Sequence, residues 1–372
     1  MGQGTHMAVD KRESEALDVE VLHEFVTLAK AKLEPGPWDY IMGGSETETT
    51  LLRNRLALDS IALRPRVLKP VEGVSAQTTF MDRKLRIPVI LAPIGSIEDI
   101  VEGGAVTPSR GAASFGVVHM LSSVAKPGLE EVAASNDNFK LFQLYVRGDA
   151  GWIDDVIARV IASGYGGLAI TVDLDYYGRR ERDLAKRFKP TARNAGHATR
   201  HFQERFSWAD VERIKAKHKI PLILKGIGTG EDAAEAVHRG IDAVYVSNHG
   251  GRQLDHGKGT MQVLPEVVEA VHGRAKVVVD GGFMRGTDIV KAMALGADAV
   301  GIGKLQALAA VAAGEAGIVR MLEILEDEMI RCLGLLGVRS CAELTPRHVE
   351  PIAPIGRRYG LASGFPLLGE GY

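Results

Sequence analysis

Eight short apolar runs recur along this chain, and their rhythm restricts the fold more than any other feature. They fall at residues 87–92, 116–121, 141–146, 167–172, 222–227, 243–247, 276–279 and 299–302. Each is rich in Val, Ile or Leu and ends in small or polar residues. Segments with helical patterning separate them, among them 152–163, 232–239 and 286–295. Strands apolar on both faces must be covered on both, and alternation with helices provides that cover. The pattern predicts a parallel α/β sheet, and eight units predict closure into a (β/α)8 TIM barrel across about residues 86–335.

Chemistry in such a barrel gathers at the carboxyl ends of the strands. After the first run come Pro93, Ile94 and Gly95, and after the second Ser122 and Ser123. The third carries Gln143 and Tyr145, and the fourth Thr171 and Asp173, with Arg180 following. Lys225 lies in the fifth, and Ser247, His249 and Arg252 close the sixth. Asp280, Gly281 and Gly282 end the seventh, and Gly303 and Lys304 the eighth. A purely structural barrel has no need of polar residues at so many strand ends.

His249 and Arg252 place a proton acceptor beside a fixed cation, with Gly250 and Gly251 allowing close approach. That pair suits removal of a proton from an anionic substrate, although a turn with a solvated arginine would also read this way. Asp173 could hold His249 in one tautomer and stabilise its charged form. Gly281, Gly282 and Gly303 could surround a phosphate, with Arg285 and Lys304 supplying charge. Lys225 fits either a Schiff-base amine or a fixed cation beside developing negative charge.

The remainder excludes and delimits. With 45 basic and 47 acidic residues the net charge is -2, which gives no general pull toward nucleic acid or anionic membrane. No apolar run approaches the roughly 20 residues of a spanning helix. Cys332 and Cys341 cannot form a disulfide framework and point to a reducing, cytoplasmic setting. No metal is expected. Residues 1–14 read as an expression remnant or disordered start, and 15–372 as one domain. Before about residue 85 an N-terminal helical segment is expected, broken at Pro35-Gly36-Pro37. The long loop after strand 4, 175–219, reads as a lid over the rim, and its basic stretch 186–193 as solvated surface.

Read together, these residues resemble the FMN-dependent α-hydroxy-acid oxidase and dehydrogenase family, over about residues 38–344. The motifs that carry the resemblance are Tyr40 with Gly43-Gly44, Leu91 to Gly95, Leu121-Ser122-Ser123 and Phe142 to Tyr145. Thr171-Val172-Asp173, Gly178 to Glu181 and Leu224-Lys225-Gly226 continue it. Ser247 to Asp255 and Val279 to Gly282, with Gly303-Lys304, complete it. The block Ser-Asn-His-Gly-Gly-Arg-Gln is its most specific part.

The resemblance implies FMN as cofactor and oxidation of a 2-hydroxy acid to a 2-oxo acid. Oxygen giving hydrogen peroxide, or a quinone or other carrier, would take the electrons. It implies His249 as base with Asp173 as its partner, and Arg180 and Arg252 on the substrate carboxylate. Tyr40 and Tyr145 would hydrogen-bond the substrate, and Lys225 would lie beside the flavin. Ser122, Gln143, Thr171 and Ser247, with backbone at Pro93, Ile94 and Gly95, would meet the ring. Asp280, Gly281, Gly282, Arg285, Gly303 and Lys304 would hold the phosphate. A homo-oligomer, tetramer or octamer, is implied as well.

Several positions depart from the family pattern. Met284 and Lys304 stand where arginine is usual, so the phosphate clamp is expected to be weaker or to pass to Arg285. Val124 replaces a pocket tryptophan, and Gly95 an alanine, enlarging the space near the flavin. Leu174-Asp175 replace Thr-Pro, and Tyr176 or Tyr177 could refill the space. A larger aliphatic or aromatic substrate is therefore expected over glycolate. The competing readings are a flavin-free aldolase or lyase built on Lys225, and a flavin-binding barrel without catalysis.

Overall fold

The computed structural model describes residues 17–194, 199–354 and 360–370. The expected tag region 1–14 lies outside them. Eight parallel strands close into a barrel. They are β1 (Val89–Leu91), β2 (Val118–Ser122), β3 (Lys140–Leu144), β4 (Leu168–Thr171), β5 (Leu222–Ile227), β6 (Ala243–Val246), β7 (Lys276–Val279) and β8 (Ala299–Ile302). Closure is made by β8 on β1, with Val300 opposite Val89 and Ile302 opposite Leu91. All eight expected strands are present, within two residues of the apolar runs at most ends. The second starts late because Gly116, at φ 96, is the left-handed cap of the preceding helix rather than a strand residue.

The continuous apolarity of the strands has its physical cause in two cores. Ile90, Met120, Leu141, Ala169, Ile223, Tyr245 and Val278 point inward and fill the barrel. Their neighbours Val89, Leu91, Leu121, Phe142, Leu168, Leu224 and Val279 point outward beneath the helices. A hairpin of Thr78–Phe80 and Arg83–Leu85 adds Phe80 and Leu85 to the inner core. The fully buried Tyr245 needs a gap across the barrel, which Gly301 provides. A methyl group at residue 301 would stand 1.9 Å from the tyrosine oxygen.

Three N-terminal helices precede the barrel: α1 (Leu22–Lys32), α2 (Pro35–Met42) and α3 (Thr49–Asp59). The break at Pro35 is as expected, since proline starts a helix more readily than it continues one. The connection after β4 is only partly a loop. It holds two short helical segments, Glu181–Ala185 and Thr191–Asn194, followed by α4 (Arg200–Arg205) and α5 (Trp208–Lys217). Here α5 is an ordinary covering helix of the barrel, so the excursion over the rim ends near residue 207 rather than 219. Two later helices bound the site, α6 (Gly286–Ala294) and α7 (Lys304–Leu336), the second interrupted at Ala313 and Gly314. Among the described residues no helix is long and apolar enough to cross a membrane, and no group of His, Cys, Asp and Glu could hold a metal ion.

Candidate active site

A cavity of about 350 Å³ opens at the carboxyl ends of the strands. His249 reaches it from a backbone that turns sharply after β6, with φ of 58, 65 and 77 at His249, Gly250 and Gly251. A left-handed histidine is uncommon and persists only where its surroundings hold it. The hold is visible. A Cβ at Gly251 would stand 2.4 Å from Leu51 N, so the loop rests directly on α3. Asn248 and Asn54 exchange two amide hydrogen bonds of 2.9 and 2.8 Å. The Asp255 carboxylate accepts from Thr47 N and Oγ1, Thr49 N and Thr50 N, capping the start of α3 from another part of the chain.

The His249 ring is oriented by Asp173, whose Oδ1 and Oδ2 lie 2.9 and 3.0 Å from Nδ1. A carboxylate there assigns the ring proton to Nδ1 and leaves the Nε2 lone pair facing Tyr145 Oη at 3.0 Å. Burial holds the His249 imidazole below its ordinary pKa, against the opposing pull of Asp173. Burial alone would raise the Asp173 carboxyl, but His249 and Lys225 bring it below the usual range. The product is a neutral base backed by an ionised carboxylate.

Two arginines share the cavity. Arg252 donates through Nη1 to Tyr40 O and to Gly43 O, the latter at 3.0 Å, and its guanidinium lies 4.9 Å from the Tyr40 ring centre. Those bonds fix the fork while leaving Nη2 and Nε for a ligand. Arg180 is buried beside it, its guanidinium 4.2 Å from the Tyr177 ring centre. Tyr40 donates to Gly95 O at 2.7 Å. Two buried cations with so little counter-charge make an anion site.

Lys225 is buried, donates to Ser247 Oγ at 3.0 Å and stands 3.6 Å from Asp280 Oδ2. Held between a hydroxyl and a carboxylate, it is placed as a fixed cation rather than as an amine aimed at a carbonyl. Gln143 and Thr171 are buried and joined by a 2.8 Å hydrogen bond, while Gln143 Oε1 has no partner among the described residues. A buried acceptor without a donor calls for a ligand N–H. Pro93, Ile94 and Gly95 line the wall and Gly281, Gly282 and Gly303 the far end, where a Cβ on Gly303 would meet nothing closer than 4.0 Å. An isoalloxazine ring, flat and apolar with N–H and carbonyl edges, suits this arrangement. Ser122 and Ser247, like Gln143 and Thr171, are buried just behind the wall rather than on it.

Two expectations need correction at the phosphate end. Arg285 does not line the cavity; it is the residue before α6 and pairs with Glu328 of α7. Lys304 lines the cavity, but its ammonium donates to Ile41 O, Met42 O and Gly43 O at 2.8, 3.2 and 3.1 Å. The basic stretch also divides. Lys186, Arg187 and Lys189 are exposed as expected, whereas Arg193 faces the cavity, 4.9 Å from the Tyr177 ring centre. Tyr177 thus refills part of the enlarged pocket, and Tyr176 stays 69% exposed.

Gln203 belongs to the site without any signal in the sequence. This buried amide on α4 accepts from Val146 N at 2.9 Å and donates to Thr171 O at 3.1 Å, pinning the overlying segment to two strand ends. Nothing in its sequence neighbourhood distinguishes it from a surface glutamine.

Comparison with known proteins agrees with this geometry. The model of the FMN-dependent dehydrogenase family matches residues 29–351. Glycolate oxidase 1 of Zea mays is 36% identical over 347 residues, 88% of this chain and 94% of that protein. An L-lactate oxidase of a Nostoc species is 36% identical over 349 residues, 87% and 95% respectively. The crystal structure of a mandelate oxidase matches with a TM-score of 0.83 at 34% identity, covering 90% of this chain and 99% of that one.

Proposed function

The chain belongs to the FMN-dependent dehydrogenase family, an oxidoreductase with FMN as its cofactor, and from that premise we propose that it oxidises a 2-hydroxy acid to the 2-oxo acid with oxygen as acceptor. The observation that carries the proposal is the line Asp173, His249, Tyr145, which ends at a cavity also holding Arg180 and Arg252. The oxidase names of the relatives support oxygen as the acceptor.

FMN, when bound, would supply the acceptor for the two electrons of the C2–H bond, with oxygen as the final acceptor giving hydrogen peroxide. The residues of the chain do the rest. Arg180 and Arg252 pair with the substrate carboxylate, for which a planar fork is suited. Tyr40 lies beside Arg252 and can share that carboxylate. The position on Nε2 that Tyr145 occupies marks where a substrate hydroxyl presents its proton. His249 takes that proton, and Asp173 stabilises the imidazolium that results. Lys225 stands as a fixed cation where negative charge would accumulate, and being buried it acts with little solvent screening. The connection after β4 contributes Tyr177, Arg180, Pro190, Arg193 and Gln203 to the cavity wall.

We assign the chain to the cytoplasm as a homo-oligomer, a tetramer or octamer. The unpaired thiols of Cys332 and Cys341 support a reducing setting, and the exposed Val67, Leu68 and Leu335 offer apolar contact surface. The activity is tested by adding 2-hydroxy acids anaerobically to the purified protein. The flavin bands should bleach with a substrate and return on admitting oxygen, with peroxide formed. Absence of bleaching across aliphatic and aromatic acids rejects the activity, and bleaching without return rejects oxygen.

A further inference from the structure

The cavity runs from His249 to the loops after β7 and β8, the end that receives a phosphate in barrels of this kind. A phosphate dianion calls for cations there, as well as N–H groups. Each cation that the described residues bring near that end is already engaged. An ammonium has three N–H donors, and Lys304 directs its own at three carbonyls at the end of α2. Moving it onto a phosphate would strip those carbonyls of their donor. Arg285 is paired with Glu328 and lies off the cavity. Arg55 is held by Asp288 at 2.6 and 2.8 Å and by Asp59 at 2.7 Å.

At the amino end of α6 the backbone donors are engaged as well. Met284 N and Arg285 N both donate to Asp288 Oδ2 at 3.0 Å, and Gly286 N donates to Glu328 Oε2 at 2.6 Å. The amino end of α6 is therefore capped by carboxylates of the chain itself. Besides Lys304 and Asp280, what faces the cavity here is apolar, namely Ile41, Phe283, Met284 and Ala307, with the backbone of Gly282 and Gly303. The ring end is the opposite case, with a fixed cation at Lys225 and an unpartnered acceptor at Gln143.

We propose that the pocket holds its cofactor by the ring system and draws little affinity from the terminal phosphate, so that riboflavin competes with FMN. The inference rests on the flavin assignment above. The phosphate is left to uncharged N–H groups at the start of α7, without a cation to neutralise it.

The test equilibrates the purified full-length flavoprotein with a large equimolar excess of FMN and riboflavin. Free flavin is then removed, and the bound pair is released and separated by chromatography. Losing the cation from a phosphate contact costs a factor of about 10 or more in affinity, so the riboflavin-to-FMN ratio bound should be at least about tenfold that of Met284→Arg, which restores a cation. A smaller difference overturns the proposal and leaves the cofactor assignment standing. Binding of neither flavin overturns both. Lys304→Gln should leave the bound ratio unchanged, because its ammonium serves α2, and a fall in the FMN share would contradict that. Met284→Arg should shift the ratio toward FMN. Should that variant fail to fold beside Gly364, the salt dependence of the wild-type ratio serves instead. It should be flat, and a riboflavin share that rises steeply with salt would reveal an ionic contact and overturn the proposal.

Discussion

The loop after β6 and the connection after β4 both bring arginine to the cavity, yet they are held by different means. The first is short and clamped along its length by α3, through the Asn248–Asn54 bond, the close approach of Gly251 to Leu51, and Asp255 on Thr50 N. The second extends from Leu174 to Ser207, and its described residues are pinned at spaced points: Tyr176 O and Gly178 N to Gln253, Arg182 to Glu48, Thr191 to Asp99, and Gln203 to Thr171 O. The clamped loop carries the base, and the longer connection carries Tyr177, Arg180 and Arg193 around the ligand. Proton transfer tolerates little misplacement, because a reacting contact shifted by about 1 Å loses much of its rate. Recognition of a variable side chain tolerates adjustment. The division of labour follows from where the contacts fall, along the whole of the short loop but at spaced points on the long connection.

The largest effect should come from the clamped side. His249→Gln is expected to retain flavin while slowing its anaerobic reduction about 10²–10⁴-fold, measured by stopped flow. Reduction at the wild-type rate would remove the base from this loop. Because burial holds His249 below its ordinary value of 6.5, the neutral base persists into mild acid, and the acid limb of kcat/KM should lie below that pH.

The clamp itself gives the next effect. Asp255→Asn leaves several backbone and hydroxyl donors poorly paired, and a loss of about 2–3 kcal/mol is expected in urea unfolding. Asp255 is held well below the usual carboxylate range: burial works against this, and the hydrogen bonds from Thr50 and Thr47 overcome it. A depressed folded pKa contributes stability that is full above the unfolded value, about 3.9, and is lost as pH falls toward the folded one. The gap between variant and wild type should therefore narrow below about pH 4. A gap that is constant with pH would mean that the charge is irrelevant to the clamp.

The smallest effect belongs to the adaptable side. Val124 lines the cavity with Gly95, Leu174 and Tyr177. Val124→Trp should lower kcat/KM for mandelate relative to glycolate by about tenfold, since a bulky ring removes the volume a phenyl group needs. An unchanged ranking would show that Tyr177 and the segment around it, rather than residue 124, set substrate size.

How much of this was legible in the sequence depended on whether a residue's position followed from its strand. All eight strands were readable because a buried strand in a parallel barrel must be apolar on both faces. His249 and Asp173 were readable as partners because both sit just past strand ends, and strand ends share one rim. Arg285 was not, because direction changes from one residue to the next where a chain enters a helix. Met284 faces the cavity there, and Arg285 faces α7. Gln203 and the stacking of Arg193 on Tyr177 depend on how a long connection folds back, and no local pattern encodes that. The capping of α3 by Asp255 joins residues 205 apart, which periodicity cannot reveal.

The three carbonyls that receive the Lys304 ammonium lie as many as 263 positions earlier in the chain. Contacts at such separation require a large loop to close before they return any stability, and they slow the approach to the native state. During synthesis α2 leaves the ribosome long before β8 exists, so this segment must wait for the barrel that it will help to seal. Tyr40 travels with it. The chain therefore acquires its substrate pocket late, when α2 meets the end of the last barrel strand, and a barrel cut free of its opening helices would lack both the lysine's partners and that tyrosine.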